Sequence, residues 1–115
     1  MRKLFDQPNF FLIAGPCVVE GEAVVYEIGR HVKTVCDDLQ IPYVFKASYR
    51  KANRSSSKSF TGIGDENALA LIQAVGKELG VPVTTDIHTD EEAALAAQYV
   101  DILQIPAFLC RQSSL

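Results

Sequence analysis

The chain has 115 residues, 48% hydrophobic and 22% charged. That is the balance of one small globular domain; a disordered tail, a collagen-like fibre, a disulfide scaffold and a multidomain machine are excluded. Eleven Lys and Arg against fourteen Asp and Glu leave a formal charge of -3, which argues against a nucleic-acid partner recognised by whole-domain charge.

Arg2 and Lys3 ahead of residues 10–14 have the outline of a leader, but Asp6 and Pro8 break the approach and Pro16 interrupts the end at Cys17. No export signal is read there. No apolar run approaches the roughly 20 residues that span a bilayer, so no membrane partner is expected. Residues 10–14, Phe-Phe-Leu-Ile-Ala, then form a short continuous apolar run stopped by Gly15-Pro16, the pattern of a strand buried on both faces. From Glu22 to Leu39, Val25, Ile28, Val32, Val35, Cys36 and Leu39 recur at helical steps ahead of Pro42, which predicts an amphipathic helix. Residues 43–45 predict a second buried strand. Asp65 is placed to cap a second helix with Ala68, Leu69, Ile72, Val75 and Leu79 on one face, closed by Gly80 and Pro82. A third strand follows over 81–87, then a Thr89/Glu92 capping box opens a short helix to about residue 98. A fourth strand at 101–105 ends at Pro106.

Such alternation implies parallel strands with right-handed helical crossovers, in either an open doubly wound sheet or part of a barrel. The chain stops where a helix should cover the fourth strand, and its length suits roughly half of a barrel that needs about 250 residues. Functional groups of α/β proteins gather at the C-terminal strand ends. Here those ends hold Gly15-Pro16-Cys17, Lys46 to Ser57, Asp86-Ile87-His88, and Gln104 to Phe108.

The richest of these segments carries Lys46, Arg50, Lys51, Arg54 and Lys58 with no acid between Lys46 and Gly64, so the other segments hold six cations against fourteen acids. With the Asn53 amide and the hydroxyls of Ser55 to Ser57, this mixture suits phosphate and carboxylate groups. A solvated surface loop and an RNA-binding loop are the other readings, the second weakened by a single aromatic, Tyr49. Cys17 at a strand end is either a thiolate ligand for a metal or a packed cysteine. His88 reads as a ligand, an acid-base group or a packed side chain, and Asp86 as a hydroxyl or cation partner or a turn residue. Cys17, Cys36 and Cys110 contain no CxxC spacing, which suits a reducing compartment, and the cytoplasm is the expected location.

The strings Ile13-Ala-Gly-Pro-Cys17, Phe45-Lys46, Lys51-Ala-Asn-Arg-Ser-Ser56, Thr85-Asp-Ile-His88 and Gln104-Ile-Pro-Ala-Phe-Leu-Cys-Arg-Gln112, in that order, resemble the 3-deoxy-D-manno-octulosonate 8-phosphate synthase family. The resemblance extends from about residue 11 to 115. It implies an α/β fold in which residues 1–115 are the N-terminal portion of a single TIM (β/α)8 barrel, strands 1 to 4 with intervening helices, truncated within the fourth βα unit. The implied activity condenses phosphoenolpyruvate with D-arabinose 5-phosphate and water, giving the eight-carbon acid sugar phosphate used for lipopolysaccharide and free phosphate. By motif match, Lys46, Ser48, Lys51, Gln104, Pro106 and Ala107 would hold phosphoenolpyruvate. Asn53, Arg54 and Ser55 would hold arabinose 5-phosphate, Phe108 would wall that site, and Arg111 would reach a phosphate across a subunit interface. Lys51, Asn53 and Asp86 are the residues expected to serve catalysis. Cys17 implies the class that needs a divalent metal ion of Zn, Fe or Mn type, whose other ligands come from the second half of the barrel.

The family's homotetramer implies a homo-oligomer, and the fragment alone is expected to be inactive. Related seven-carbon 3-deoxy-D-arabino-heptulosonate 7-phosphate synthases typically carry Lys-Pro-Arg-Thr where Lys-Ala-Asn-Arg-Ser stands here. That activity and a non-catalytic phosphosugar-binding fragment are the alternatives.

Overall fold

The computed structural model describes residues 2–50 and 64–111. Its elements in chain order are α1 (Arg2–Asp6), β1 (Leu12–Ala14), α2 (Glu22–Leu39), β2 (Tyr43–Lys46), α3 (Asp65–Leu79), β3 (Val83–Asp86), α4 (Asp90–Ala96), β4 (Ile102–Gln104) and a 3-10 turn, Ala107–Leu109. The four strands form one parallel sheet in the order β1-β2-β3-β4. Each new strand is added beside the last in the same direction, so right-handed crossovers place the helices on a single face. A doubly wound sheet reverses its order at a switch point. Sequential order is the arrangement of the first four strands of a (β/α)8 barrel.

The helix-covered face carries the core. Phe45 of β2 and Val83 of β3 point toward α2 and α3: a Cβ at Gly29 would meet Phe45, Val75 and Leu79, and one at Gly76 would lie 2.4 Å from Val83 Cγ1. Ala68, Leu69, Ile72 and Val75 of α3 are buried against this layer, as their spacing predicts. On α2, Val25 and Cys36 are buried, but Val35 and Leu39 are exposed, so the packed stripe is narrower than the periodicity implies. Strand alternation then sends Lys46, Thr84, Asp86, Ile102 and Gln104 to the opposite face, in register as Lys46 with Thr84 and Asp86 with Gln104.

The helix ends explain themselves locally. Gln40 takes the left-handed conformation (φ 58°, ψ 42°), and the Ile41 N–H donates to the Cys36 carbonyl at 2.8 Å, closing α2 before Pro42. Gly80 (φ 69°) closes α3 in the same conformation. At the start of α3 the cap is Gly64, with φ 97°, and no side-chain capping bond is made. Asp65 is therefore the first helical residue rather than the cap, because its carboxylate is committed to Arg50. Thr89 does cap α4, its Oγ1 accepting from the Glu92 N–H at 3.2 Å.

The first strand departs from expectation. It is shorter than the apolar run, and Ile13 is 47% and Phe10 72% exposed, because β1 stands at the sheet edge with β2 as its single strand neighbour. The leader-like N-terminal stretch forms the short helix α1, and Phe5 packs edge-to-face on Phe11 at 5.6 Å.

Directly after β1 the chain runs hard against β2. A Cβ at Gly15 would lie 1.8 Å from the Lys46 carbonyl oxygen, a backbone atom that cannot step aside. We expect Gly15→Ala to destabilise the fold by roughly 1–3 kcal/mol through overpacking, while Gly21→Ala, which meets nothing within 4 Å, stays within about 0.5 kcal/mol of the parent. Urea unfolding of the two variants checks this. Equal midpoints would show that no close approach exists at Gly15.

Candidate active site at the strand ends

The pinch at Gly15 fixes the path of the residues that follow. Cys17 and Ser48 are tied through the backbone: the Ser48 N–H donates to the Cys17 carbonyl at 3.3 Å, and the Val19 N–H to the Ser48 carbonyl at 3.0 Å. Val18 and Ser48 thereby form a parallel bridge beyond the ends of β1 and β2. At the other side, the Ile87 N–H donates to the Gln104 carbonyl at 3.0 Å. The four strand ends are thus laced together by main-chain bonds, and their side chains share one rim.

A continuous polar chain runs along that rim. Ser48 Oγ donates to Asp86 Oδ1. The other carboxylate oxygen, Oδ2, lies 3.2 Å from His88 Nε2. His88 Nδ1 is buried without a hydrogen bond and faces Glu92 Oε1 at 3.6 Å. Glu92 Oε1 accepts from the Tyr49 hydroxyl at 2.5 Å, and Thr89 Oγ1 lies 3.1 Å from its Oε2. Burial, then the hydrogen bond and charge of Glu92, push the Tyr49 phenol well above its ordinary range. Tyr49 is thus a neutral donor throughout the physiological range. Beside it, Arg50 pairs with Asp65 at the start of α3 and lies 6.0 Å over the Tyr49 ring; the hydrogen bond it donates to Asp65 is the main cause that raises the Arg50 pKa.

Cys17, Lys46, Ser48, Asp86 and Gln104 are therefore brought to one end of the sheet. Pro106 and Ala107 follow β4 into the 3-10 turn, where Phe108 is 69% exposed. Arg111 is also exposed. Lys51, Asn53, Arg54 and Ser55 lie outside the described residues. Two parts of the site were not anticipated. Glu92 is legible in the sequence as a helix-capping residue, yet its partnership with Tyr49 spans 43 positions, and no local pattern announces it. Arg50, counted among the cations for anionic ligands, is already satisfied by Asp65.

Cys17 is a free, exposed cysteine and one suitable metal donor. Among the described residues no group of three or more His, Cys, Asp or Glu is placed to hold a metal ion, whereas zinc-type sites take three or four protein ligands. Among the described residues Cys17 is a single donor, so a metal site here would need its further ligands from outside them. Among the same residues no helix is long and apolar enough to cross a membrane.

Residues 6–115 match the model of a family described as the DAHP synthetase I family. The chain is 54% identical over 108 residues to a 2-dehydro-3-deoxyphosphooctonate aldolase of Laribacter hongkongensis (strain HLHK9), covering 94% of this chain and 38% of that protein. It is 55% identical to the protein of the same name from Dechloromonas aromatica (strain RCB), with the same coverage. A further relative of that name, from Koribacter versatilis (strain Ellin345), is 52% identical over 94% of this chain and 39% of its own length. The chain spans less than two-fifths of the length of these curated relatives.

Behind the rim, the Tyr43 hydroxyl donates to the Ala14 carbonyl at 2.8 Å, joining β2 to the end of β1. Burial, with a smaller effect of Cys36, raises its pKa to about 12 from an unfolded value near 10. The folded state therefore holds this proton more tightly. Its stabilising contribution is complete below about pH 10 and is lost as pH rises through that value toward 12. We expect Tyr43→Phe to lose less stability than the parent between pH 9 and 11 in urea titrations; parallel losses would show that Tyr43 does not titrate with folding.

Proposed function

Since this chain belongs to the DAHP synthetase I family, we propose that the protein condenses phosphoenolpyruvate with D-arabinose 5-phosphate and water, releasing phosphate and 3-deoxy-D-manno-octulosonate 8-phosphate. The observation that carries the reading is the convergence of Lys46, Ser48, Asp86 and Gln104 at one sheet end, at the entrance to the cation-rich segment that follows Arg50. The shared printed name of its relatives supports the eight-carbon product.

Both substrates are anions, and their mutual repulsion must be offset before carbon meets carbon. In this reading Lys46 and Lys51 neutralise the carboxylate and phosphate of phosphoenolpyruvate, with Ser48, Gln104, Pro106 and Ala107 shaping that subsite. Asn53, Arg54 and Ser55 receive the sugar phosphate, Phe108 walls it, and Arg111 reaches a phosphate from a neighbouring subunit of a homo-oligomer. The phosphoenolpyruvate methylene carbon attacks the aldehyde carbon. Water adds at the carbon that bears phosphate, and phosphate leaves. Asp86, accepting from Ser48 and lying beside His88, orients polar groups of the reacting pair.

Cys17 contributes one thiolate toward a divalent ion of Zn, Fe or Mn type, the other ligands lying outside the described residues; such an ion would supply Lewis acidity. The product's place is lipopolysaccharide synthesis, and the cysteine usage supports a cytoplasmic setting.

The test is phosphate release by the gene product that carries this chain. We expect release only when both substrates are present, loss on chelation and recovery on adding divalent metal. Asp86→Asn should lower kcat by roughly 100-fold, and Cys17→Asn should remove the response to metal. Preference for erythrose 4-phosphate would assign the seven-carbon reaction instead. Binding of arabinose 5-phosphate without phosphate release would leave a phosphosugar-binding protein.

A further inference from the structure

Glu92 does more than a helix cap requires. Capping of α4 is complete once Thr89 Oγ1 accepts the Glu92 N–H, and that contact uses the Glu92 backbone. The Glu92 side chain also accepts from the Thr89 hydroxyl through Oε2 at 3.1 Å, but it is turned inward, 13% exposed, with its Oε1 shared between the Tyr49 hydroxyl at 2.5 Å and the His88 ring at 3.6 Å. The His88 ring, 11% exposed, stands between two carboxylates: Asp86 at Nε2 and Glu92 at Nδ1. Its Nδ1 is buried with no hydrogen bond, so the Glu92 oxygen decides whether that nitrogen faces an acceptor or a void. A rotated ring would withdraw Nε2 from Asp86, leaving Ser48 as that carboxylate's partner among the described residues.

We infer that Glu92, anchored by Tyr49, is a positioning residue that sets the orientation of His88 and, through it, the Asp86 carboxylate at the mouth of the sheet. The inference deepens the condensation reading above and rests on it for what Asp86 does. The line Tyr49, Glu92, His88, Asp86, Ser48 joins α4 to the ends of β2 and β3, so the carboxylate is held from both sides. Tyr49 is wholly buried, and its hydroxyl donates to Oε1, which anchors that oxygen. Glu92 touches neither Lys46 nor Gln104 in the contacts described, and among the described residues its side-chain route to Asp86 is the His88 ring.

The experiment uses the gene product carrying this chain, with Glu92→Ala, Glu92→Gln and Tyr49→Phe. It reads kcat and KM for both substrates, the melting temperature, and the 15N signals of the His88 ring, assigned with His88→Gln. Misplacement of an active-site group by about 1 Å costs up to roughly 100-fold in rate. We therefore expect Glu92→Ala to lower kcat by about 10- to 100-fold with KM values little changed, and to move the His88 ring signals. Glu92→Gln, which keeps an acceptor for Tyr49, should recover most of the loss. Tyr49→Phe should reproduce a smaller part of it. A lowered melting temperature with unchanged kcat and an unmoved ring would overturn the inference and leave Glu92 as a structural residue.

If Glu92→Ala does not fold, Glu92→Gln and Tyr49→Phe decide by the same readouts: a moved ring with reduced kcat in Tyr49→Phe upholds the inference, and parental values in both overturn it. If the parent protein releases no phosphate, the condensation reading fails and the ring spectrum alone decides. His88 signals that move in Glu92→Ala and Tyr49→Phe then uphold the positioning role, and unmoved signals reject it.

Discussion

The register between β2 and β3 is the constraint on which the site depends. Phe45 opposite Val83 and Lys46 opposite Thr84 send the two apolar side chains into the helix layer and the lysine to the other face. A slip of one residue would exchange these faces along the strand, expelling Phe45 from the core and burying the Lys46 ammonium among α2 and α3. Core packing therefore selects the register, and the register delivers Lys46, Asp86 and Gln104 to the same side of the sheet. The absence of a Cβ at Gly15 lets the chain after β1 close over the Lys46 carbonyl, bringing Cys17 to Ser48. Stability and site geometry here are consequences of one packing decision.

Carboxylates at the mouth of such a sheet would repel anionic ligands if left bare. Each of the three described here is instead engaged: Asp65 with Arg50, Asp86 with Ser48 and His88, and Glu92 with Tyr49, Thr89 and His88. The Arg50 guanidinium neutralises Asp65, whereas Asp86 and Glu92 keep their charge and spend acceptor capacity on the Ser48, Tyr49 and Thr89 hydroxyls, so the attraction of anions falls to Lys46 and the succeeding cations of the sequence. The pairing of Arg50 with Asp65 also brings together the two residues that bracket the cation-rich stretch. Arg50 therefore serves the scaffold, and the charge available for ligands falls to its neighbours.

Much of this architecture is legible from pattern. The bounds of α2 and α3 follow from apolar spacing and from the stops at Pro42, Gly80 and Pro82, because helix periodicity is a local property that ten or more residues report together. The strands are less legible in extent: β1 and β4 have three paired residues each, and pairing depends on where a neighbour ends. Apolar content also misleads at β1, where Phe10 and Ile13 read as core but stand at an edge. The rim residues Cys17, Lys46, Ser48, Asp86 and Gln104 were identifiable because they occupy strand ends. The Tyr49–Glu92 and Arg50–Asp65 contacts were not, since each joins residues that only the folded sheet brings together.

The burial of Glu92 shows why the rim acts as a unit. A carboxylate withdrawn from water must recover its hydration through hydrogen bonds; here the two hydroxyls, Tyr49 and Thr89, take up that role, and the neighbouring ring adds a further polar contact. Removing the carboxylate would spare its own desolvation but leave the Tyr49 hydroxyl buried without an acceptor, and an unmet buried donor costs more than the net gain from an average hydrogen bond. The same reasoning applies in reverse to Tyr49. Either partner makes the other necessary, so α4 and the end of β2 are bound to a common geometry, and the side chains of β3 between them inherit it.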